Sequence, residues 1–407
     1  MIFENLLVKI DDDSIRLVNI SNEIEAAIEK DYLAILRSIS NKTSQEDLNE
    51  NELNFLYELE ELMEIVPNSG IGELTIRTGK LDNLEIELTN NCMLKCKHCY
   101  QREEDKIKKE EHIDFSCLKK TISEAENIGL YKIKLCGGEP LLYNHIEELL
   151  IFLSTQKLGV TIITNGLLLD RFIDLLDPKQ VSLVISLDGF QHSHDYLRGE
   201  GCYNKTLDNI KLSIRKKIDV SINMVVYDEN LNDIDDFNRY LEALGVSRLN
   251  IQVVRFQGMA AKYLTDKFTY NYEFLRSIHK NELEQQLELI ENGGKYCNLY
   301  ATGLSINCDG VVTGCPFLDN SKVGSILSDS IVDIFERSNC EYLLQEIYEN
   351  AECNKCSLFG KSCAGGCRAR AQRVVGSVTS CDYWIPFLLN HPKFNESPNK
   401  PCDYLLI

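Results

Sequence analysis

Three cysteines lie close together at Cys92, Cys96 and Cys99, in a C-x3-C-x2-C segment. Cysteine thiolates hold iron–sulfur clusters, and they also bind zinc. A cubane cluster has four irons, so three local thiolates leave one iron free to bind a further ligand, as a catalytic zinc site does with its open position. The spacing therefore predicts a catalytic cluster, with a zinc site or chance clustering as the alternative.

A second set of cysteines lies in the C-terminal part of the chain. Of the 16 cysteines, none precedes residue 92, six lie in residues 92–296 and ten lie in residues 297–407. The tail contains one C-x2-C knuckle inside a longer string: Cys297, Cys315, Cys353, Cys356, Cys363, Cys367 and Cys381. A zinc ribbon requires a pair of such knuckles, so zinc is the weaker interpretation of this spacing.

Polar and glycine-containing segments follow the strands predicted after the first cysteines. CGGEP occupies residues 136–140, TNG occupies 164–166, and SLDG at 186–189 is followed by His194, Asp195 and Arg198. Glycine lets the backbone approach a ligand, and a carboxylate such as Glu139 suits an ammonium group. Each segment alone is typical of an ordinary turn, and His194 alone of a hydrogen-bonded loop histidine. Their regular placement after successive strands favours a shared site.

Short apolar strands alternate with amphipathic helices through the middle of the chain. Six strands are predicted: Leu84–Leu88, Tyr131–Cys136, Val160–Thr164, Val181–Leu187, Val220–Val226 and Leu249–Val254. The alternation predicts an α/β fold with a parallel sheet, either doubly wound or curved into a partial barrel. Active side chains then lie at the carboxyl ends of the strands. Helix-like sequence at Tyr270–Glu291, followed by Asn292-Gly293-Gly294, predicts a boundary there.

The first 82 residues differ in character from the rest of the chain. Two stretches of alternating apolar residues, Leu6–Ile10 and Ile15–Ile20, predict a hairpin. Two stretches with apolar residues at helical spacing follow, at Ile24–Leu36 and Leu53–Met63. Strands followed by helices predict a winged-helix-like α+β module that ends near Gly70–Gly72. Three domains are thus expected, at residues 1–82, 83–291 and 292–407.

The composition excludes several classes of function. The net charge is −20, from 43 Lys and Arg against 63 Asp and Glu. So acidic a surface, with no segregated basic patch, disfavours nucleic acid as a partner. No apolar run approaches the ~18 residues of a membrane span, and the N-terminal sequence lacks the pattern of a signal peptide. These features predict a cytoplasmic protein with no membrane partner, whose cysteines serve metals or catalysis rather than disulfides.

The motifs in combination resemble the radical S-adenosylmethionine (radical SAM) superfamily. The matching segments are CMLKCKHCY at residues 92–100, GGEP, TNG and SLDG-x4-HD-x2-RG, within about residues 84–285. The resemblance implies a partial (β/α)6 barrel with a [4Fe-4S] cluster on Cys92, Cys96 and Cys99. It also implies that the fourth iron binds the amino and carboxylate groups of S-adenosylmethionine (SAM). Reductive cleavage of SAM would yield a 5′-deoxyadenosyl radical that takes hydrogen from an unactivated C–H bond.

The resemblance also assigns residues to the binding of SAM. The implied contacts are Gly137, Gly138 and Glu139 at the amino group, Thr164, Asn165 and Ser186 at the ribose, and Arg198 at the carboxylate. His98 stands where the family often has an aromatic residue next to adenine, and Tyr100 completes the implied cofactor-binding set. No general base is assigned, because burial and neighbouring groups set a pKa and the sequence shows neither.

The tail resembles the SPASM extension of the same superfamily, most clearly in the AGGCRARA run at Ala364–Ala371. This resemblance implies two auxiliary iron–sulfur clusters, although the spacing after the knuckle is one residue longer than usual. The implied ligand sets are Cys353, Cys356, Cys363 and Cys381 for one cluster, and Cys297, Cys315 and Cys367 for the other. Cys308, Cys402 or a substrate thiolate would complete the second set. The cysteines interpreted as buried small hydrophobic residues are Cys117, Cys202 and Cys340.

The N-terminal module resembles the leader-recognition element of enzymes that mature ribosomally made peptides. Such elements capture a leader peptide as an added strand against a helix. The resemblance implies a groove between an edge strand at Ile15–Ile20 and a helix at Asn51–Ile65. An accessory cap over the barrel is the alternative interpretation of this module.

Together these observations predict a radical SAM peptide maturase that forms a thioether from a cysteine sulfur of a precursor peptide. The predicted partners are that precursor with its leader and an electron donor such as flavodoxin or ferredoxin. The alternatives within the superfamily are peptide epimerisation, carbon–carbon crosslinking and oxidation of a sulfatase residue. A non-enzymatic iron–sulfur sensor or peptide-binding protein is the alternative of another class.

Overall fold

The computed structural model describes most of the chain. It covers residues 3–102, 110–254, 258–264, 302–338 and 352–389, except 4, 11–13, 23, 43, 66–70, 73, 319–320 and 383, together with 276, 284, 287, 288, 290, 291 and 349. Most of the helix predicted at Tyr270–Glu291 and the boundary predicted at 292–294 lie outside these residues, as do Cys297, Cys340 and Cys402. No helix in the described ranges is long and apolar enough to cross a membrane.

The N-terminal module is built on a four-stranded sheet in the order β3-β2-β1-β4. The strands are β1 (Leu6–Ile10), β2 (Ile15–Asn19), β3 (Ile24–Ala27) and β4 (Thr75–Thr78). The first three pair antiparallel in turn, which confirms the predicted hairpin, and β4 runs parallel to β1. Two helices follow β3: α1 (Lys30–Ser40) and α2 (Glu50–Leu62). They pack on the sheet, where Leu36 and Leu56 share an apolar core with Val8.

The prediction of a helix that begins at Ile24 is wrong, because residues 24–27 form a strand and α1 begins at Lys30. Partly buried Ile24 and Ala26 alternate with exposed Glu25 and Ala27, so the apolar spacing fits a strand as well as a helix. Pairing with β2 decides between the two, because it satisfies the backbone hydrogen bonds of the segment.

The prediction that Ile15–Ile20 forms an edge strand is also wrong. β2 pairs with β1 on one side and with β3 on the other. A strand whose backbone is paired on both sides has no unpaired row of N–H and C=O groups to offer. β3 stands at the end of the strand order, so on this side of the sheet an additional strand would pair with β3 and not with β2.

The six predicted strands of the middle region are confirmed as one parallel series. They are β5 (Asn83–Glu87), β6 (Lys132–Cys136), β7 (Gly159–Thr164), β8 (Val181–Ser186), β9 (Asp219–Val226) and β10 (Arg248–Val253). Each pairs in parallel with the next along the chain, so the spatial order follows the sequence order without a reversal. A doubly wound sheet reverses its order at a switch point. The observed order therefore excludes that alternative and agrees with a barrel.

Helices connect these strands and cover one face of the sheet. They are α3 (Phe115–Glu126), α4 (Ile146–Ser154), α5 (Leu169–Phe172), α6 (Gln191–Arg198), α7 (Cys202–Arg215) and α8 (Ile234–Leu244), and α9 (Met259–Tyr263) follows β10. Side chains alternate between the two faces of a strand. On β6, Ile133 and Leu135 are buried in the core, whereas Lys134 is exposed on the opposite face.

Part of the tail extends the same sheet, which the sequence did not predict. β11 (Gly303–Ile306) pairs in parallel with β5, and β12 (Val311–Thr313) and β13 (Lys322–Ser325) continue the sheet antiparallel. The remaining helices of the described tail are α10 (Ile331–Ser338), α11 (Arg368–Val375) and α12 (Trp384–Leu388). β11 thus brings the tail beside β5, the strand that leads into the first three cysteines.

A buried ion pair joins the N-terminal module to the barrel. Lys9 of β1 is fully buried, and its Nζ donates to the carbonyl oxygens of Leu81 and Gly129, each at 2.7 Å. The same Nζ lies 3.1 Å from the Asp82 carboxylate, which also accepts from Arg16 of β2 at 3.0 Å. Asp82 immediately precedes β5, so the module is fastened at the amino ends of the barrel strands.

A second set of polar contacts reaches the barrel from β3. The Glu25 carboxylate accepts from the Tyr131 hydroxyl at 2.9 Å and from Lys132 Nζ at 2.8 Å, at the start of β6. The first three cysteines follow the carboxyl end of β5. The β3 edge and the cysteines are therefore at opposite ends of the barrel strands.

Candidate active site

The first three cysteines lie on a loop at residues 89–102, called here the cysteine loop, which follows β5. Lys97 N donates to Leu197 O of α6 at 2.8 Å, and Met259 N of α9 donates to Cys99 O at 3.0 Å. Within the loop, Cys99 N donates to Cys96 O at 3.2 Å. Helices that follow β8 and β10 thus fix the loop at the carboxyl ends of the strands.

The thiols of Cys92, Cys96 and Cys99 lie near enough for the charge of one to act on another. Burial raises the pKa of Cys96 to about 12, and it also raises the pKa of Cys92, while the positive charge of Arg198 acts in the opposite direction on both. Among the described residues, no group of three or more His, Cys, Asp or Glu side chains is placed to hold a metal ion. The three thiols therefore share one region without converging on a single point.

The two glycines of the GGEP segment pack against the cysteine loop. Gly138 N donates to Thr89 O, and Glu139 N donates to Asn91 O, each at 2.8 Å. A Cβ on Gly138 would lie 2.4 Å from Asn91 O, and one on Gly137, where φ is +137°, would lie 2.3 Å from Thr89 O. Only glycine permits so close a backbone approach. The glycines thus hold the loop in place, and their contact with the amino group of SAM stays a prediction.

Glu139 is fully buried and links the GGEP and TNG segments. Its Oε1 accepts from Thr164 Oγ1 at 2.7 Å and from Leu141 N at 3.2 Å, and its Oε2 accepts from Asn165 N at 2.9 Å. Burial raises the pKa of Glu139, and these hydrogen bonds act in the opposite direction. A carboxylate accepts about four hydrogen bonds. Glu139 accepts three, so it has room for one more donor such as an ammonium group. Its contact with the amino group of SAM stays a prediction.

The three residues assigned to the ribose lie at neighbouring strand ends. Thr164 ends β7, Asn165 follows it, and Ser186 ends the adjacent parallel strand β8. Asn165 Nδ2 donates to Met93 Sδ of the cysteine loop at 3.2 Å. The structure therefore brings all three residues to the predicted edge of the sheet, and their contact with ribose stays a prediction.

Asp188, which was not among the predicted site residues, is a fully buried carboxylate just after β8. Its Oδ2 accepts from Arg198 Nε at 2.6 Å, and its Oδ1 accepts from Val225 N at 2.8 Å. Its backbone N–H donates to His194 Nδ1 at 3.1 Å. Burial is the largest single influence and would raise the pKa of Asp188, but the interactions with Arg198, His98 and His194 together outweigh it and the pKa falls to about 2. Asp188 is thus ionised at neutral pH and orients Arg198.

Arg198 lies between Asp188 and the thiols of the cysteine loop. Its side chain is 9% exposed, and its charge acts on both Cys92 and Cys96. The guanidinium has five N–H groups in a rigid fork, and Asp188 takes one from Nε and one from Nη2, at 2.6 and 3.4 Å. The predicted contact between Arg198 and the carboxylate of SAM stays a prediction, and the structure adds the residue that fixes the guanidinium.

His98, assigned to the position next to adenine, and Tyr100, assigned to cofactor binding, differ in environment. Burial lowers the pKa of His98 to about 4, so its imidazole is neutral at pH 7, and its Nε2 lies 3.9 Å from Asp188 Oδ2. His98 Nδ1 is buried and has no hydrogen-bond partner in the part of the chain that is described. Such an atom in a native site calls for a ligand or an ordered water. Tyr100 is more exposed, with its ring 6.2 Å from that of Phe317 in the tail.

Gly258, which the sequence did not single out, supports the cysteine loop from the segment after β10. Its φ is +58°, and a Cβ there would lie 2.5 Å from Arg102 O, 2.7 Å from Cys99 O and 2.8 Å from Tyr100 O. Any side chain would push the loop away from α9. The sequence shows Gly258 only as a single glycine between a predicted strand and the segment after it, and this does not indicate which loop the glycine contacts.

Gly258→Ala is expected to lower the iron bound by the cysteine loop at least about twofold and to cost about 1–3 kcal/mol of stability, because it adds a clash to an unfavourable φ. Iron content of the reconstituted protein and urea unfolding would measure the two effects. Gly201→Ala is the matched control, since Gly201 has φ +81° and a Cβ added there would meet no atom within 4 Å. Equal effects of the two substitutions would show that contact with the loop is unimportant.

The structure brings together the four tail cysteines predicted to share one auxiliary cluster. Cys353, Cys356, Cys363 and Cys381 line a single small cavity, called here the cysteine cage. Gly365 N donates to Cys363 Sγ at 3.4 Å, and burial raises the pKa of Cys363 to about 12. Glu352 and Asp382 also line the cavity, and its four thiols match the ligand chemistry of iron–sulfur clusters.

The second predicted ligand set lies only partly within the described residues. Cys315 and Cys367 are described, whereas Cys297 and Cys402 are not. Cys367 caps α11, and its Sγ accepts from Arg370 N at 3.5 Å. The assembly of this set therefore stays a prediction.

The other described cysteines lie elsewhere in the fold. Burial raises the pKa of Cys308 to about 12, and the carboxylates of Glu87 and Glu111 act in the same direction. Cys117 on α3 packs against the barrel core, as its interpretation as a small hydrophobic residue requires. Cys202 begins α7 and is partly buried.

The cysteine cage packs on the barrel next to the cysteine loop. Cys381 and Trp384 share an apolar cluster with Leu197 of α6 and with Tyr227, which follows β9. Leu197 is the residue whose carbonyl accepts from Lys97 of the cysteine loop. Leu197 of α6 therefore contacts both groups, the cysteine loop through its carbonyl and the cluster that contains Cys381 through its side chain.

Residues 86–241 match the family model of the Radical SAM superfamily. These residues form a radical SAM domain. The matched segment contains the cysteine loop, the GGEP and TNG segments and the Asp188–Arg198 pair. The fold of this family implies SAM and one [4Fe-4S] cluster.

Several known proteins resemble this chain in sequence. GTP 3′,8-cyclase of Synechocystis is 28% identical over 49% of this chain and 62% of its own length, so the match covers less than two thirds of that protein. Sporulation killing factor maturation protein SkfB of Bacillus subtilis is 27% identical over 68% of each chain. Mycofactocin maturase MftC of Mycolicibacterium smegmatis is 26% identical over 70% of this chain and 77% of its own.

Solved structures share the fold at low sequence identity. SuiB of Streptococcus suis, solved with S-adenosylmethionine and with its precursor peptide SuiA, superposes with a TM-score of 0.64 at 16% identity, over 94% of this chain and 98% of that one. The protein anSMEcpe with bound AdoMet has a TM-score of 0.56 at 19% identity, over 76% of this chain and 98% of that one. These likenesses establish the α/β fold with its parallel sheet.

The residues of the site fit the groups that the family implies. The cysteine loop supplies three thiols, Arg198 supplies a fixed positive charge beside them, and His98 presents a buried ring nitrogen without a partner among the described residues. Thiolates are the ligands of a [4Fe-4S] cluster, and a guanidinium suits the carboxylate of an amino acid.

Proposed function

We propose that this radical SAM enzyme matures a ribosomally made precursor peptide, and that it forms a thioether from a cysteine sulfur of that peptide. The observation that carries the proposal is the presence in one chain of the cysteine loop and of an N-terminal sheet with β3 at its edge. Two relatives, SkfB and MftC, are named as a maturation protein and a maturase, and SuiB has been solved with a precursor peptide.

In this proposal the cluster and SAM, when bound, supply the one-electron chemistry that breaks an unactivated C–H bond. The chain supplies orientation. Asp188 holds Arg198 beside the thiols, and Glu139 ties the GGEP segment to the TNG segment at the strand ends. The close contacts of Gly137 and Gly138 with Thr89 and Asn91 fix the position of the cysteine loop relative to the sheet.

The leader peptide would add to β3 (Ile24–Ala27) as a further strand, in place of the Ile15–Ile20 edge expected from the sequence. Ile28 N donates to Ile15 O at 2.8 Å, so alternate residues of β3 direct their N–H groups towards β2. Glu25 and Ala27 then direct theirs away from β2, where an added strand would accept them. Because β3 and the cysteine loop lie at opposite ends of the barrel, the segment between leader and modified residues must span the length of the strands.

Auxiliary clusters are the other part of the proposal. The cysteine cage would hold one, and Cys297, Cys315 and Cys367 would hold the second. The position of Cys308 beside Glu87 and Glu111 favours Cys402 or a substrate thiolate as the fourth ligand of that second set. A substrate thiolate there would prepare a peptide cysteine for C–S bond formation, with flavodoxin or ferredoxin as electron donor to the enzyme.

Ala27→Pro is expected to weaken leader binding at least about tenfold, because proline removes an N–H that the added strand needs while the pairing of β3 with β2 is kept. Fluorescence anisotropy with the synthetic leader of a short cysteine-containing peptide encoded beside the gene would measure it. Ala27→Gly, which keeps the N–H, is the control. Wild-type affinity of the proline variant would remove β3 as the docking strand. A wild-type protein that leaves the whole precursor peptide unmodified would contradict the maturase proposal.

A further inference from the structure

Arg368, the first residue of α11, is a fully buried guanidinium in the tail. Its Nη1 donates to Val378 O at 2.9 Å and to Ser380 O at 3.0 Å. Its Nη2 donates to Gly365 O, and its Nε donates to Gly366 O at 3.4 Å. One side chain therefore contacts four backbone carbonyls.

These carbonyls belong to the two segments that carry ligands of the cysteine cage. Gly365 and Gly366 lie between Cys363 and Cys367, whereas Val378 and Ser380 lie just before Cys381. The planar fork of arginine donates in several fixed directions at once, which a lysine ammonium on its single stem does not reproduce. Arg368 thus fastens the two ligand-bearing segments to each other.

The charge of Arg368 also bears on the cage. A guanidinium stays protonated in proteins, and carbonyl groups orient it without cancelling its charge. Arg368 Nη2 donates to Gly365 O, and the same carbonyl oxygen accepts from Cys353 Sγ at 3.8 Å, so the guanidinium lies close to that thiol. The nearby Asp382 carboxylate is itself engaged by Arg370, with Nε at 2.9 Å and Nη2 at 2.8 Å. Thiolates that ligate a metal are anionic, so the cage and Arg368 are complementary in charge.

We infer that Arg368 is a positioning residue for an iron–sulfur cluster in the cysteine cage: it fixes the two ligand-bearing segments and places a buried positive charge beside the thiolates. The inference rests on the auxiliary cluster proposed above. It concerns cluster assembly and reduction potential, which can be measured without any peptide substrate.

The test compares full-length wild type, Arg368→Met and Arg368→Lys after anaerobic reconstitution. Iron and sulfide per chain and the midpoint potentials of the clusters, from redox titration followed by EPR, are the readouts. Arg368→Met is expected to lose at least about half of the iron of one cluster, and the clusters that remain in the cage should reduce at a more negative potential, because a positive charge that favours the added electron is gone. Arg368→Lys should lose iron but keep a potential near that of wild type.

Arg77→Met is the control, because Arg77 pairs with Glu126, neither residue belongs to the segments that carry the cage cysteines, and its loss should change neither readout. Wild-type iron and potential in Arg368→Met would overturn the inference. So would a loss of iron with no change of potential in either variant, since that is the result of a purely structural role. Should Arg368→Met bind no cluster at all, Arg368→Lys decides: a potential near wild type supports the role of the charge, and a negative shift overturns it.

Failure of the auxiliary-cluster proposal gives a different result. Wild type would then hold about four irons per chain, all lost with the cysteines of the cysteine loop. If wild type holds at least about eight irons per chain and Arg368→Met has the same iron content and potentials, the auxiliary cluster is supported and the role of Arg368 is rejected.

Discussion

Replacing Cys92, Cys96 and Cys99 together with alanine is expected to reduce the formation of 5′-deoxyadenosine from SAM to below about 1% of wild type, because no thiolate remains to hold the cluster that delivers the electron. The measurement is chromatography of the products after anaerobic reconstitution and reduction with dithionite. The same variant should lose about four irons per chain and keep those of the tail.

The structure explains why the loss should be confined to one site. The cysteine loop is anchored to Leu197 O of α6, whereas the cavity of the cysteine cage is lined by residues of the tail alone. Cys117→Ala is the matched control, since Cys117 lies on α3 and packs against the core of the barrel. Product formation by the triple variant, or loss of all iron from it, would contradict the assignment. A wild-type protein that forms no 5′-deoxyadenosine would instead support the sensor or peptide-binding alternative.

The barrel strands could be predicted from the sequence because each is a short apolar run between helices of clear amphipathic period. Their order could not, because a doubly wound sheet and a barrel share the same local pattern. In the N-terminal module the type of element itself could not be predicted, because the spacing of Ile24, Ala26 and Ile28 fits both a strand and the start of a helix. There the decision was made by pairing with β2, an interaction between residues that local periodicity does not report.

The site shows the same division between local and long-range information. Spacing identified Cys92, Cys96 and Cys99, and the resemblance to the SPASM extension grouped the four cysteines of the cage. Spacing did not reveal that Asp188 pairs with Arg198, because that pairing depends on the burial of both side chains. Nor did it reveal β11, whose pairing with β5 joins residues more than 200 positions apart. Contacts set by the tertiary fold are the ones that sequence patterns missed.

Asp188→Asn is expected to weaken SAM binding about tenfold to a hundredfold and to lower the free energy of unfolding by about 3 kcal/mol. The substitution keeps the size of the side chain but leaves the guanidinium of Arg198 buried without its negative partner, and it replaces an acceptor with an amide that no longer fixes Nε. Since the pKa of Asp188 is about 2, the carboxylate is charged throughout the neutral range in which binding is measured. Its contribution to stability is present above the ordinary Asp pKa and is lost as the pH falls towards 2.

Calorimetric titration of the reconstituted protein with SAM, together with its iron content, separates two explanations for such a loss. If Asp188 acts by positioning Arg198, the variant keeps the iron of the cysteine loop and loses affinity for SAM, because the cluster is held by thiols that Asp188 does not contact. Asp170→Asn removes a comparable charge from a largely exposed pair with Lys205 and should change neither quantity. Unchanged affinity in Asp188→Asn would show that the orientation of Arg198 does not matter for SAM. Lost iron would place Asp188 in the assembly of the loop instead, because α6 carries both Arg198 and the carbonyl that anchors Lys97.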